Sequence, residues 1–291
     1  MLWKKEYNLT IGYLGPNGSF TSQAAAYFAS ESSIISYSSI ATCLRALEKN
    51  ELDYAIVPVE NSIEGTVNVA IDFIYHHLAV PIQCELVLPI HQQLMVHPNF
   101  KHSWQDNIVK IVSHPQALAQ TQTFLADNFP HSQQLTTEST TSACELIVNH
   151  QDDCWAAVAS KAASEAFNLT IVCSDIQDNQ NNETRFWLLG KETFKLTDKS
   201  SCFIRQTLGI SWSNNQPGDL HRILSVFSWR QIDLSKIESR PLRTKLGEYY
   251  FLIDILVDNP RLIDLALEEL AALDCDIKIL GTYPVYYGEN S

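Results

Sequence analysis

The sequence predicts an α/β fold over its first two-thirds and a smaller, ferredoxin-like βαββαβ unit at its C-terminal end. Short apolar runs that are typical of buried strands alternate with segments whose apolar residues recur at helical spacing. A polar stretch with weak patterning at residues 191–201 separates this alternation from a second series of strands and helices. We therefore expect two domains, 1–195 and 196–291, which agrees with a length of 291 residues.

The first domain contains most of the predicted elements. Strands are predicted at 10–14, 54–59, 108–112, 155–159, 169–172 and 186–189, with a β-rich region at 80–96. Helices are predicted to begin after the turn at 15–18, near residues 40, 67 and 143, at Pro115, and over 161–167. Because strands alternate with helices, a largely parallel or mixed sheet is expected, with ligands at the carboxyl ends of its strands.

The second domain shows the order strand, helix, strand, strand, helix, strand. Strands are predicted at 203–212, 232–242, 249–257 and 277–285, and helices begin near Pro217 and Pro260. This order is that of the split βαβ unit found in ferredoxin-like folds.

Composition and charge exclude several classes of protein. Apolar residues make up 45% and charged residues 18% of the chain, as in globular proteins. A formal net charge of −13 argues against a broad nucleic-acid-binding surface, although one local arginine can still bind an anion. The N-terminus lacks the apolar run of a signal peptide, and no segment is long enough to span a bilayer. Seven scattered cysteines without a CxxC pair indicate reduced thiols in a cytoplasmic protein.

Polar clusters follow several predicted strands and are the candidate functional residues. Residues 60–62 (Glu-Asn-Ser) follow one strand, residues 113–114 (Ser-His) another, and a third cluster follows Gly15. Thr184 and Arg185 stand at the start of an apolar strand. A threonine hydroxyl can donate a hydrogen bond to a leaving oxygen, and a guanidinium can bind a carboxylate bidentately. Taken alone, these two residues are more typical of an ordinary strand start, and the function is indicated by the convergence of the clusters.

Four segments in a fixed order resemble the prephenate dehydratase family. They read GYLGPNGSFTSQAA at 12–25, VPVENSIEGTV at 57–67, SHPQALAQ at 113–120 and TRFWLL at 184–189. The C-terminal unit resembles the ACT regulatory domain of that family, with ESRP at 238–241 as its marker. The chain has little room before its first motif for the chorismate mutase domain fused to some relatives, so a monofunctional enzyme is expected.

The resemblance implies a catalytic domain of two lobes, like a periplasmic binding protein, with the chain crossing between lobes near residues 80 and 170. It implies conversion of prephenate to phenylpyruvate, water and carbon dioxide. Because aromatisation drives this step, the chemistry requires positioning and a hydrogen-bond donor, and no metal, redox cofactor or covalent nucleophile. We therefore predict no metal site and no cofactor site.

The resemblance also implies a role for each site residue. Thr184 would donate to the departing hydroxyl, Arg185 would bind a substrate carboxylate, and Phe186 would pack behind them. The residues expected to orient the substrate by hydrogen bonds are Asn61, Ser113 and Gln120. For Glu60, a catalytic role and a structural role are both open. Its negative charge would repel the dianionic substrate unless the carboxyl group is protonated or faces away. His114 is expected to have a local structural role.

For the ACT unit, the resemblance implies L-phenylalanine bound between two such domains of a dimer or tetramer. The residues expected at this site are Gly218, Asp219, Leu220, Glu238, Ser239, Arg240 and Pro241. Asp219 stands where the family usually has alanine, and its charge could either strengthen the binding of an amino group or disturb the pocket.

Two other functions compete with this hypothesis. Arogenate dehydratase performs the same chemistry on a substrate with an amino acid side chain, and nothing in the sequence excludes it. A non-catalytic amino-acid sensor could use the same two-lobed cleft and ACT unit, but the intact Thr184-Arg185-Phe186 set argues against it. The nine histidines show no metal-ligand spacing.

Overall fold

A computed structural model describes residues 9–29, 33–196, 200–212 and 216–288. The chain forms two compact units, the first comprising Met1–Ala70, Val87–Phe186 and Gly288–Ser291 and the second comprising Ile71–Leu86 and Trp187–Tyr287. The domain bounds of 1–195 and 196–291 and the crossings near 80 and 170 stay predictions. Residues 197–199, within the predicted boundary stretch, lie outside the described residues. No helix in the described ranges is long and apolar enough to cross a membrane.

The first sheet of the first unit is built from parallel strands with two helices between them. Its elements are β1 (Ile11–Leu14), α1 (Phe20–Phe28), β2 (Ile34–Tyr37), α2 (Ile40–Glu48), β3 (Tyr54–Asn61) and β4 (Gly65–Thr66). Strand β1 lies between β2 and β3, and Ile11 pairs with both Ile34 and Tyr54. Strand β3 then turns back into β4, where Asn61 pairs with Gly65. This turn carries the first polar cluster of the candidate site.

Three elements have residues in both units. They are α3 (Asn68–His77), β5 (Ile82–Pro89) and β11 (Glu183–Gly190). The Thr184 end of β11 belongs to the first unit, together with Phe186.

A second sheet in the first unit has mixed strand directions. Its elements in chain order are β6 (Gln93–Val96), β7 (Lys110–Ser113), α4 (Pro115–Gln120), α5 (Gln122–Asn128), β8 (Gln133–Thr136), α6 (Thr140–Asn149), β9 (Trp155–Ala159), α7 (Lys161–Phe167) and β10 (Thr170–Cys173). The strand order is β10-β6-β9-β7-β8, and Pro98–Phe100 adds a 3₁₀ turn. Helices on the two faces of the buried strand β9 contribute to two separate apolar cores.

The second unit contains the βαββαβ series. Its elements are β12 (Phe203–Trp212), α8 (Asp219–Ser228), β13 (Leu234–Pro241), β14 (Tyr249–Leu256), α9 (Pro260–Ala272) and β15 (Cys275–Tyr287). All neighbouring strands are antiparallel, in the order β13-β14-β12-β15. The helices pack on one face over a core that includes Leu208, Ile253 and Phe227. The predicted fold class, two α/β lobes with a ferredoxin-like ACT unit, is confirmed.

The other face of this antiparallel sheet buries charge. Glu85 has no exposed surface, and its carboxylate accepts hydrogen bonds from Trp187 Nε1 at 3.0 Å and from the guanidinium of Arg205. Tyr283 Oη donates to the same carboxylate at 3.4 Å. The further hydrogen bonds satisfy the carboxylate of this buried ion pair, which offsets the cost of removing its charge from water.

The cysteines behave as small apolar residues. All seven are free, and five of them are buried. Burial raises the pKa of Cys43, Cys84 and Cys144 to about 12, which keeps these thiols protonated and unreactive near neutral pH. The prediction of reduced, mostly structural cysteines agrees with this arrangement.

Candidate active site

The Asn61 side chain holds together the end of β3 and the start of β11. Its Oδ1 accepts hydrogen bonds from the backbone N–H groups of Ile63 and Glu64, both at 3.0 Å. Only the oxygen of the amide group can accept these two hydrogen bonds. The other atom of the group must therefore be the donor Nδ2. This Nδ2 donates to Thr184 Oγ1 at 2.9 Å and to Asn182 Oδ1 at 2.8 Å. The amide orientation of Asn61 is thus determined by the turn that it closes.

Thr184 lies in this network with 8% of its surface exposed. Its Oγ1 accepts from Asn61, and no acceptor for its own hydroxyl hydrogen is found among the described residues. A threonine hydroxyl has one hydrogen to donate, and the bond from Asn61 directs that hydrogen away from the amide. The hydroxyl hydrogen of Thr184 is therefore available to a group outside its own network, and its donation to the departing hydroxyl stays a prediction.

Glu60 and Arg185 form an ion pair at the same edge of the sheet. Arg185 Nη1 donates to Glu60 Oε2 at 2.6 Å, and both side chains are partly exposed. A partly exposed pair stabilises the fold little, but it fixes where the guanidinium lies. The structure thus gives Glu60 a positioning contact with Arg185. Phe186, the next residue, is buried behind the pair with 1% exposure.

Ser62 adds further ties between the two segments. Its backbone N–H donates to the carbonyl of Glu183 at 2.9 Å, and its Oγ accepts from the N–H of Glu183 at 2.9 Å. These bonds join residues about 120 positions apart in the chain. The loop after β3 and the start of β11 are therefore joined by hydrogen bonds at several points.

Ser113 lies at the end of β7, and Gln120 lies in α4. Both belong to the part of the first unit that contains the second sheet, which is called the second lobe here. The hydroxyl of Ser113 is fully buried and donates to the carbonyl of Val158 at 2.5 Å, so it offers a ligand an acceptor. Gln120 Oε1 accepts from Gln92 Nε2 at 3.3 Å. Their roles in substrate orientation stay predictions. His114 caps α4, with its Nδ1 accepting from Gln116 N–H at 3.3 Å, which is a local structural role.

A cavity of about 240 Å³ brings Gln120 close to the Asn61 network. Its lining combines the turn after β3, helix α4 and the segment that leads into β11: Ile63, Glu64, Ala119, Gln120, Gln177, Asp178, Asn179 and Asn182. Asn182 belongs both to this cavity and to the hydrogen bonds around Asn61.

The turn after β1 is held against the second lobe. Gly18 has a φ of 84°, which favours glycine, and an added Cβ there would lie 3.1 Å from Ala163 Cα. The hydroxyl of Ser160 donates to the Gly18 carbonyl at 2.7 Å. The glycine-rich turn therefore has a packing function between the lobes, in addition to any contact with a ligand.

The residues at the start of α8 show how Asp219 is used. Gly218 precedes the helix with a φ of 97°, and the buried Asp219 accepts at Oδ2 from the N–H of Gln216 at 2.6 Å. Its other oxygen lies 3.6 Å from Arg222. Asp219 thus closes the turn before the helix, while Leu220 is 37% exposed.

The ESRP segment lies on the edge strand β13, with Ser239 and Pro241 exposed. Arg240 is buried and bonds to Asp72 of α3 and, at 3.0 Å, to Glu238. Arg243 binds the second oxygen of Asp72 at 2.5 Å. One buried aspartate therefore holds both arginines of this region.

Sequence reasoning overlooked Asn182 and Asp72, and it included Ser62 only as a member of the polar cluster 60–62. Asn182 stands two residues before Thr184, and this proximity is the one signal that could have identified it. Asp72 is remote in sequence from the arginines that it binds, and nothing in its own segment marks it. Across the described part of the chain, no group of three or more His, Cys, Asp and Glu residues is arranged to hold a metal ion.

The fold and the site together define a two-lobed α/β protein with a small-molecule site and a C-terminal ferredoxin-like unit. A sequence model of a protein family, described as prephenate dehydratase, matches residues 11–194. The prephenate dehydratase of Lactococcus lactis subsp. cremoris is 46% identical over 283 residues, which cover 96% of this chain and 98% of that protein. The Bacillus subtilis prephenate dehydratase is 40% identical over 284 residues, covering 96% and 99%.

Solved structures show the same similarity. The crystal structure of prephenate dehydratase from Arthrobacter aurescens in complex with L-Phe superposes with a TM-score of 0.80 and 29% identity, covering 95% of this chain and 90% of that one. The chain belongs to the prephenate dehydratase family.

Proposed function

We propose that this chain converts prephenate to phenylpyruvate, water and carbon dioxide, in the biosynthesis of L-phenylalanine. The observation that carries the proposal is the Asn61–Thr184 bond, which leaves the Thr184 hydroxyl hydrogen to be donated elsewhere. A preorganised donor beside the departing hydroxyl stabilises the charge that develops there as the carbon–oxygen bond breaks. Because threonine is a weak acid, a water or a neighbouring group would complete the proton transfer.

The other predicted residues fit around this donor. Arg185 would bind a substrate carboxylate, with Glu60 as the residue that positions its guanidinium. Phe186 would support the site from behind, and Asn61, Ser113 and Gln120 would orient the substrate. Burial of the dianion between the lobes would exclude water from the reacting centre.

The proposal also assigns a function to each domain and a cellular compartment to the protein. Residues 1–195 would form the catalytic domain, with crossings between the lobes near 80 and 170, and residues 196–291 the ACT domain. The protein would act in the cytoplasm as a homodimer or homotetramer. L-phenylalanine would bind at the start of α8 and along the ESRP segment. The L-Phe complex of the Arthrobacter relative supports L-phenylalanine as the effector.

Phenylpyruvate formation from prephenate, with and without L-phenylalanine, tests the proposal directly. We expect turnover by the wild-type chain and its suppression by L-phenylalanine. Parallel assays with arogenate decide between the two substrates. Absence of phenylpyruvate would overturn the assignment to prephenate, whereas turnover that ignores L-phenylalanine would overturn only the regulatory part.

Replacement of Asp72 by Asn is expected to weaken inhibition by L-phenylalanine. The change keeps the shape of the side chain but removes the charge that holds Arg240 within the ESRP segment. We expect the inhibitor concentration for half-maximal effect to rise about tenfold, which corresponds to a coupling loss of about 1.4 kcal/mol. Activity without inhibitor should be retained.

The matched control is Asp264→Asn, which removes one exposed carboxylate from α9 of the same unit. Its inhibition curve should coincide with that of the wild type. An unchanged inhibition curve for Asp72→Asn would show that Arg240 does not need its partner for effector binding.

A further inference from the structure

Asn182 is a buried residue whose side-chain amide has a donor without a partner among the described residues. Only 1% of its surface is exposed, and the donor is Nδ2. Leaving a buried amide donor unpaired destabilises the fold, so a native protein seldom keeps one without a use.

The orientation of this amide follows from the network around it. Asn61 must present Nδ2 to Asn182, because Asn61 Oδ1 already accepts from two backbone N–H groups. The atom of Asn182 that faces Asn61 must therefore be the acceptor Oδ1. The unpaired donor is then the opposite branch of the Asn182 amide, which points away from Asn61.

The cavity beside Asn182 limits what this donor can meet. Glu64 and Asp178 line it, and none of its lining residues is a lysine or arginine. Asp178 already accepts from the N–H groups of Thr123 and Phe124, at 3.0 and 3.2 Å. A carboxylate would be repelled in such a cavity, and an ammonium group would meet an N–H donor in place of an acceptor.

We infer that Asn182 is a further substrate-binding residue, whose Nδ2 donates a hydrogen bond to an uncharged oxygen of the substrate. The inference rests on the proposed function, which offers two such oxygens, the keto oxygen of the side chain and the departing hydroxyl. Asn61 Nδ2 contacts both Asn182 Oδ1 and Thr184 Oγ1, so Asn182 lies directly beside the proposed catalytic donor.

The test replaces Asn182 by Asp, which preserves an acceptor for Asn61, removes the donor and adds a negative charge. We expect kcat/KM for prephenate to fall about 10- to 100-fold, the usual cost of losing one hydrogen bond in a binding site. Asn181→Asp introduces the same charge on an exposed neighbour and should leave kcat/KM unchanged. Asn182→Ala removes the donor without adding a charge, and it decides the question if the Asp variant does not fold.

Comparing the loss of turnover on prephenate with that on arogenate identifies which substrate oxygen accepts the hydrogen bond. A loss confined to prephenate, with arogenate turnover unaffected, assigns the contact to the keto oxygen, because arogenate carries an amino group there. Equal losses on both substrates assign it to the departing hydroxyl. Folded Asn182 variants that retain wild-type kcat/KM on prephenate would overturn the inference.

A binding measurement separates this inference from the proposed reaction. Calorimetric titration with prephenate in a Thr184→Val background reads affinity while turnover is slowed about 10²- to 10³-fold. Weaker binding after Asn182→Asp supports the contact even if the wild type makes no phenylpyruvate. If prephenate does not bind to the protein at all, both the inference and the proposed function are overturned.

Discussion

Thr184→Val is expected to reduce kcat for phenylpyruvate formation by about 10²- to 10³-fold, the usual effect of removing one preorganised donor. Valine matches threonine in shape, so the buried position stays filled and only the hydroxyl is lost. Asn61 keeps two of its acceptors, Asn182 Oδ1 and the carbonyl of Glu183. The loss should therefore fall mainly on kcat, with a much smaller change in KM.

Thr184→Ser is the matched control, because it retains a hydroxyl that can accept from Asn61 and donate to the substrate. We expect it to keep kcat within about tenfold of the wild type, with the difference reflecting the freer rotation of serine. Steady-state kinetics on both folded variants provide the measurement. Similar kcat values for Thr184→Val and the wild type would exclude Thr184 as the donor to the departing hydroxyl.

Glu85→Ala is expected to lower the free energy of unfolding of the second unit by about 3–5 kcal/mol. The change leaves the guanidinium of Arg205 buried without its counter-ion and removes the acceptor of the Trp187 indole N–H. Urea unfolding followed by tryptophan fluorescence measures the effect, since Trp187 reports on this site directly.

The double variant Glu85→Leu with Arg205→Leu provides the control for the charge. It removes both members of the ion pair and replaces them by apolar side chains, so no buried charge is left without a partner. We expect this double variant to be more stable than Glu85→Ala, which is non-additive behaviour. A Glu85→Ala protein that unfolds at the wild-type urea concentration would contradict this description of the buried pair.

Local sequence patterns predicted most elements because the governing forces are local. Helix α1 follows the turn at 15–18 as predicted, and Ser19 caps it by accepting from Ser22 N–H. Pro115 begins α4 as its fixed φ predicts. Strands β2 and β8 were missed because their residues are largely exposed or only half-buried, and such strands lack the apolar run that marks a buried one.

By itself, the sequence determined the fold class, the βαββαβ order of the C-terminal unit and the family, because these depend on periodicity, turn residues and ordered motifs. The tertiary structure alone decided how the site residues are used. It pairs Glu60 with Arg185, directs the Ser113 hydroxyl to Val158, and turns the donor of Asn182 away from Asn61. The physical reason is that each hydrogen bond joins residues 45 to 125 positions apart, where no local pattern specifies the partner.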